Sequence, residues 1–213
     1  MLKTIICDFD GVWVDSFDVL YRINEVAVAK IGLQLTPEQY RAAFNGPIHH
    51  ELRKLLGLDE ARQLEFSNYK RQIFSSYYHS QSVRFFPFAG PLIAELSRLG
   101  RLHIVTASPP EAVSKLLEQQ RLRDYFGDVL GFSLVGKRAA LDRLVGEASH
   151  SESFFITDTV GDIREAAGLK LKVVAVAWGF HQRSDLQAAG AHAVVSDGDG
   201  LKICLQDAAA VDN

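Results

Sequence analysis

Apolar residues along the chain fall into two alternating kinds of run. Short, continuous, β-branched runs read as strands buried on both faces: Thr4–Asp8, Leu102–Thr106, Val129–Phe132, Phe154–Thr157 and Val173–Ala177, with Ala193–Val195 a candidate sixth. Between most of them apolar positions recur at helical spacing, over Glu111–Gln120, Arg138–Glu147 and Asp162–Leu169. Pro109 and Pro110 suit a helix entrance after the second run. Strands alternating with helices imply right-handed crossovers and a parallel α/β sheet of Rossmann-like type, with helices on both faces.

From Val14 to Val83 this rhythm breaks, and no strand is expected. Phe17, Leu20, Ile23, Ala27 and Ile31 recur at helical spacing and Gly32 follows as a stop signal. Thr36-Pro37-Glu38 reads as an N-cap, a first-turn proline and an acidic first turn. Leu52, Leu55 and Leu56 mark a further helix before Gly57, and Ala61–Tyr78 a longer one. The expected organisation is a core made of residues 1–13 and 84–213, interrupted by a small helical module at 14–83 that emerges beside the first strand.

Composition narrows the function classes. The chain has 213 residues, 47% of them hydrophobic, and a formal net charge of −3, enough for one good core with a subsidiary module. The basic residues are dispersed, which speaks against a nucleic-acid surface. Two cysteines, Cys7 inside the first apolar run and Cys204, do not make a disulfide framework. Met1-Leu2-Lys3 leads straight into a strand, with no room for a signal peptide, and no apolar stretch is long enough to span a bilayer. A cytoplasmic protein without membrane or nucleic-acid partners, monomeric or homodimeric, is expected.

The chemistry lies where the strands end, because sheets of this type bind ligands beyond their carboxyl edges. The first run closes in Asp8-Phe9-Asp10-Gly11. Residues i and i+2 of a strand share a face, so Asp8 and Asp10 converge while Phe9 turns into packing. Two like charges this close must share a proton or have a cation nearby. The second run ends in Thr106-Ala107-Ser108 and the fourth in Thr157-Asp158-Thr159-Val160-Gly161-Asp162, while Lys137 precedes the helix leading to the fourth. This inventory suits phosphoryl transfer with Mg²⁺, a hard cation that needs only one or two protein carboxylates; Asp8 and Asp158 could supply them. The metal and Lys137 would offset the phosphate's charge. The Thr106 hydroxyl and neighbouring N–H groups such as that of Ala107 would hold its oxygens. Asp8 could then attack phosphorus, and Asp10 could protonate the leaving oxygen and activate water.

At these positions the chain resembles the haloacid dehalogenase superfamily. Asp8-Phe9-Asp10-Gly11-Val12-Trp13-Val14-Asp15-Ser16 matches its first motif; His103-Ile104-Val105-Thr106-Ala107-Ser108 is similar to the second, Lys137 to the third, and Asp158 with Asp162 to the acidic fourth. The likeness is strongest to members of phosphoglycolate-phosphatase and β-phosphoglucomutase type. It implies that Asp8 is nucleophile and metal ligand, and that Asp10 is acid/base with its backbone carbonyl on the metal. Thr106 and Lys137 would bind the phosphoryl group, Asp158 would ligate magnesium and Asp162 support the metal shell. It also implies that the helical module is a cap. Dehalogenases of the family lack the second aspartate, so Asp10 argues against that branch. Thr157 stands where many members have Gly or Glu. Lys137 lies in Gly136-Lys137-Arg138-Ala139-Ala140 rather than before proline; of the neighbours Lys137 and Arg138, Lys137 is favoured for the phosphate, because a compact ammonium fits a crowded phosphate and nucleophile better.

Each feature also has a plainer reading. An Asp-x-Asp at a strand end can be turn chemistry, Asp158 and Asp162 can be carboxylates favoured by a helix N-terminus, Asp15 and Ser16 can cap the helix at Phe17, and Cys7 can be a small core residue. Their conjunction favours chemistry. In the module, Gly46-Pro47 looks like the loop that reaches the active site in relatives, so Gly46, His49, His50 or Arg53 could read the substrate's remote group. His49 and His50 cannot point together from one helical face, which argues against a metal site. Trp178-Gly179-Phe180-His181 could flank the pocket or form a plain turn. The expected activity is magnesium-dependent hydrolysis of a small phosphorylated metabolite through an aspartyl phosphate. A phosphosugar mutase, a phospho-accepting receiver domain and a non-catalytic binding protein are the alternatives.

Overall fold

The computed structural model of the chain describes residues 4–79, 83–131, 136–146, 153–169 and 171–211. In chain order its elements are β1 (Thr4–Cys7), β2 (Val14–Asp15), α1 (Phe17–Lys30), α2 (Pro37–Ala42), α3 (Ile48–Leu55), α4 (Glu60–Tyr78), β3 (Arg84–Phe85), α5 (Ala89–Leu96) and β4 (Arg101–Thr106). They continue with α6 (Pro110–Gln119), β5 (Phe126–Gly131), α7 (Arg138–Val145), β6 (Ser153–Thr157), α8 (Val160–Ala166), β7 (Lys172–Val176), α9 (Arg183–Ala188), β8 (Ala193–Val195) and α10 (Gly198–Val211).

Six strands form one parallel sheet in the order β5-β4-β1-β6-β7-β8. β1 pairs with β4 on one side (Ile5 opposite Leu102) and with β6 on the other (Ile5 opposite Phe154). The connections therefore diverge around β1, and a crevice opens beyond its carboxyl end. Alternation along β1 feeds both layers. Ile5 and Cys7 join a core with Ile93, Val113 and Leu201, and Ile6 joins another with Leu141, Ile163 and Leu186. Ile5, Ile6 and Cys7 are fully buried, at roughly 1.5–3 kcal/mol for each large apolar side chain, so Asp8 follows a firmly anchored strand. Burial pushes the Cys7 thiol well above its ordinary range, as befits a core residue.

The helical insert, α1 to α4, is attached through a two-stranded antiparallel ribbon in which Val14 pairs with Phe85 and Asp15 with Arg84. The segment expected to lack strands thus contains Val14–Asp15, a strand too short to display any period. Thr36 and Gln39 form a reciprocal capping box at α2, and Asp59 caps α4 by accepting from the Arg62 N–H. Ser16 occupies the N-cap position of α1, yet its hydroxyl makes no capping bond and is buried without a partner among the described residues. The core on the insert side of the sheet runs unbroken into the insert through Val12, Trp13, Leu20, Phe74 and Tyr78.

Other boundaries shift for simple reasons. β5 begins at Phe126, not Val129, because it is an edge strand whose exposed residues, including Gly127 and Asp128, interrupt any apolar run; Phe132 lies outside the described residues, as does Glu147 at the expected end of α7. α8 starts at Val160, two residues before Asp162, with Thr159 as its cap. Among the described residues no helix is long and apolar enough to cross a membrane.

Candidate active site

Asp8 is the first residue beyond β1, and its N–H still donates to Ile156 of β6 (2.8 Å). One carboxylate oxygen accepts from the Phe9 N–H (2.7 Å) and the other from Lys137 Nζ (2.5 Å). Lys137, at the N-cap of α7 and 2% exposed, also donates to Asp162 Oδ2 (2.6 Å), which in turn accepts from Thr157 Oγ1 (2.6 Å). Arg138 points elsewhere: it is exposed and donates to the backbone carbonyl of Glu165 (3.2 Å). The cation beside Asp8 is therefore Lys137.

Asp10 lies in the same cavity with different partners. Its Oδ1 accepts from Tyr78 OH (2.7 Å), at the end of α4, and its Oδ2 from Ser108 Oγ (2.7 Å), after β4. Phe9 turns away and meets Phe85 edge-on, with ring centroids 5.8 Å apart. Gly11 follows at φ +76°, a left-handed conformation open to glycine, and a Cβ there would come within 1.9 Å of Asp158 Oδ2. Thr106 is fully buried and its hydroxyl accepts from the Ser108 N–H (3.0 Å). It shapes the turn that presents Ala107 and Ser108 to the cavity and does not line the cavity itself.

Asp158 sits behind these groups. Its Oδ2 accepts from the Phe180 N–H (2.7 Å), while its Oδ1 is buried with no hydrogen-bond partner among the described residues. Burial pushes the Asp158 carboxyl up to about 7, against the pull of the Phe180 N–H. Burial also drives Asp8 well above the carboxylate range; the Lys137 charge opposes that rise, and Asp162 and Asp158 add to it. Burial by itself would depress Lys137, but Asp162 and Asp8 together hold its ammonium above the ordinary value. The cluster is thus short of positive charge.

Such a donor set fits a hard divalent cation. Asp8 and Asp158 offer carboxylates, one with an unpartnered oxygen, and the Asp10 main-chain carbonyl could add a third ligand. No group of three or more His, Cys, Asp or Glu side chains among the described residues is placed to hold a metal. That agrees with the habit of Mg²⁺, which takes one or two carboxylates and completes its shell with water and phosphate.

The cavity contains about 600 Å³ of empty space, part of it open to solvent. The insert walls it with Leu20, Asn24, Tyr40, Phe44, Ile48 and Phe74, and brings Gly46, His49 and Lys70 to it. His49 meets the Ala107 backbone, and burial together with Lys70 pushes its imidazole down to about 3, leaving it neutral. Arg53 does not reach the cavity: it is exposed and donates to the Leu58 carbonyl (3.3 Å) in the turn after α3. His50 is exposed as well. Insert and sheet meet closely elsewhere. Arg164 of α8 donates to the Asn45 carbonyl (2.8 Å), and Arg41 of α2 to the Phe180 carbonyl.

Tyr78, Ser108, Phe180 and Lys70 are the contributors that strand-end reasoning did not place. Ser108 and Phe180 lay in segments already singled out. Tyr78 and Lys70 had one visible signal, their four-residue spacing with Phe66 and Phe74 along α4.

The sequence model of the haloacid dehalogenase-like hydrolases matches residues 5–176. The chain belongs to the haloacid dehalogenase-like hydrolase family. It is 28% identical over 193 residues to the phosphoglycolate phosphatase of Synechococcus elongatus, covering 88% of this chain and 90% of that protein. It is 27% identical over 209 residues to the phosphoglycolate phosphatase of Photobacterium profundum, covering 91% of each. Among solved structures, a predicted phosphatase from Clostridium acetobutylicum superposes with a TM-score of 0.83 at 21% identity, over 97% of this chain and 99% of that one. A Pseudomonas syringae hydrolase gives 0.79 at 19%, over 96% and 98%; these two likenesses bear on the fold. As a member of this family the chain is a hydrolase, and the curated relatives named here are phosphatases.

Proposed function

We propose that this hydrolase is a magnesium-dependent phosphatase that cleaves a small phosphorylated metabolite through an aspartyl phosphate on Asp8. The observation that carries the reading is the unlike bonding of two carboxylates in one cavity. Asp8 is bonded to an ammonium, whereas Asp10 accepts from two neutral hydroxyls. The first arrangement suits an ionised nucleophile, the second a group that exchanges a proton.

Asp8 attacks phosphorus as the bond to the leaving oxygen breaks, and Asp10 gives that oxygen a proton. Asp10 then takes a proton from the water that attacks the aspartyl phosphate, releasing inorganic phosphate and restoring Asp8. Lys137 offsets the negative charge of the phosphoryl group throughout, with Asp162 and Thr157 keeping it in position. Magnesium, when held by Asp8, Asp158 and the Asp10 carbonyl, supplies the additional positive charge that lets a dianion approach. The insert, residues 14–83, acts as a cap over the core of residues 1–13 and 84–213, excluding bulk water while Gly46 and His49 border the leaving group. The enzyme works in the cytoplasm as a monomer or homodimer. Phosphoglycolate, the substrate in the names of the two curated relatives, is the first compound to try.

The test is phosphate release from a panel of small phosphomonoesters with and without magnesium, by the wild type and by Asp8→Asn. Turnover that needs the metal and falls by about 10⁴-fold or more in the variant is expected. Wild-type rates in Asp8→Asn would sink the nucleophile assignment, and conversion of a hexose 1-phosphate to its isomer without free phosphate would identify a mutase instead.

A further inference from the structure

One face of α4 carries Phe66, Lys70, Phe74 and Tyr78 at four-residue intervals, the spacing that stacks side chains along one side of a helix. Phe66, Phe74 and Tyr78 are buried, and Tyr78 reaches Asp10. Lys70 therefore stands in an aromatic stripe directed at the site, and it lines the inner cavity beside Asp10 and His49. It also lines the adjoining groove, where α4 faces Ala107, Ser108 and Pro109.

Lys70 is half-buried, and a lysine whose stem lies in such a stripe loses part of its hydration, a loss that a carboxylate partner commonly offsets. Lys70 makes no hydrogen bond or ion pair among the described residues; its Nζ lies over the Phe66 ring, 5.9 Å from the centroid. Nearby, Gln63 donates to Ser67 Oγ (3.1 Å), and its own carbonyl oxygen is buried without a partner among the described residues. The remaining insert walls of the inner cavity are mostly hydrocarbon, so the fixed positive charge on the leaving-group side is Lys70.

We infer that Lys70 is the specificity determinant of this site, reading a second anionic group, a carboxylate or phosphate, carried by the short leaving portion of the phosphomonoester. The inference rests on the phosphatase reading above and names the substrate class it leaves open. Burial pushes Lys70 down to about 8, with Asp10 resisting the fall. The residue is thus still charged at neutral pH, and an incoming anion would strengthen that charge. The insert side of the cavity offers a neutral leaving group only Asn24, Tyr40 and His49 as polar side chains besides Lys70, so a charged group gains most from Lys70.

The experiment compares kcat/KM for three esters that share a two-carbon leaving portion: 2-phosphoglycolate, ethylene glycol bisphosphate and 2-hydroxyethyl phosphate, the first and last being close in size. Wild-type enzyme is expected to favour at least one of the two charged esters over the neutral one by tenfold or more, and the better of them identifies the group read. Lys70→Met should collapse that ratio toward one, and Lys70→Arg should restore part of it, which separates charge recognition from a folding defect. A wild type without preference, or a ratio unchanged in Lys70→Met, would overturn the inference while leaving the phosphatase standing. No hydrolysis of any of the three by an enzyme that hydrolyses other phosphomonoesters would overturn the inference alone, and no hydrolysis of any phosphomonoester would overturn both.

Discussion

The two walls of the cavity are built in opposite ways. On the sheet side every charged group has a partner and almost no freedom: Lys137 bridges Asp8 and Asp162, Thr157 supports Asp162, and Ser108 is held between Asp10 and Thr106. On the insert side the wall is aromatic and aliphatic, with Lys70 lacking any ion pair among the described residues. Strand ends in a buried parallel sheet can fix side chains to fractions of an ångström because the backbone behind them cannot shift. The insert contributes mostly apolar side chains and Lys70 to the cavity, so on the proposed reading it bears on selection of the substrate more than on the bond-making step.

Three variants would break or sharpen this contrast. Lys137→Met attacks the sheet side and should have the largest effect. It strands Asp8 and Asp162 in a buried site without their cation, costing about 3–5 kcal/mol of stability in the metal-free protein. Urea denaturation measures the loss, and a stability within 1 kcal/mol of wild type would mean the bridge is dispensable. Tyr78→Phe cuts the hydrogen bond that the insert donates to Asp10. A bond to a carboxylate contributes roughly 1.5–3 kcal/mol to stability, so the urea midpoint should fall, and kcat should fall by about tenfold or more as Asp10 loses a group that positions it; denaturation and steady-state kinetics on the best substrate decide. Gly161→Ala wedges the two walls apart, because a Cβ on α8 would come within 2.5 Å of the Gly46 carbonyl. At roughly 1 kcal/mol, the low end for overpacking, KM should rise about fivefold while kcat holds. A fall in kcat alone would show that this contact serves the chemistry and not substrate admission.

Much of the sheet side was legible in the chain. Asp8, Asp10, Lys137 and Asp162 follow from the ends of buried apolar runs and from the segment before α7, and they do meet in one cavity. Thr106 shows the limit of that reasoning: its place at a strand end is as expected, but its hydroxyl is spent on the Ser108 N–H. Asp158 likewise lies behind the cavity lining, bonded to Phe180. The insert was legible only as helices. Which of its residues face the site depends on the rotation of each helix against the core, and so Arg53 ends exposed on α3 while Lys70 and Tyr78 reach inward from α4.

The sequence alone determined the alternation of strands and helices, the interruption after the first strand, and the gathering of acids at one sheet edge. These depend on local periodicity and on the rule that parallel strands end on a common side. Only the tertiary structure decided how the two aspartates differ. Lys137 is 129 residues from Asp8 and Ser108 is 98 from Asp10, separations over which no local pattern can pair a carboxylate with an ammonium or a hydroxyl.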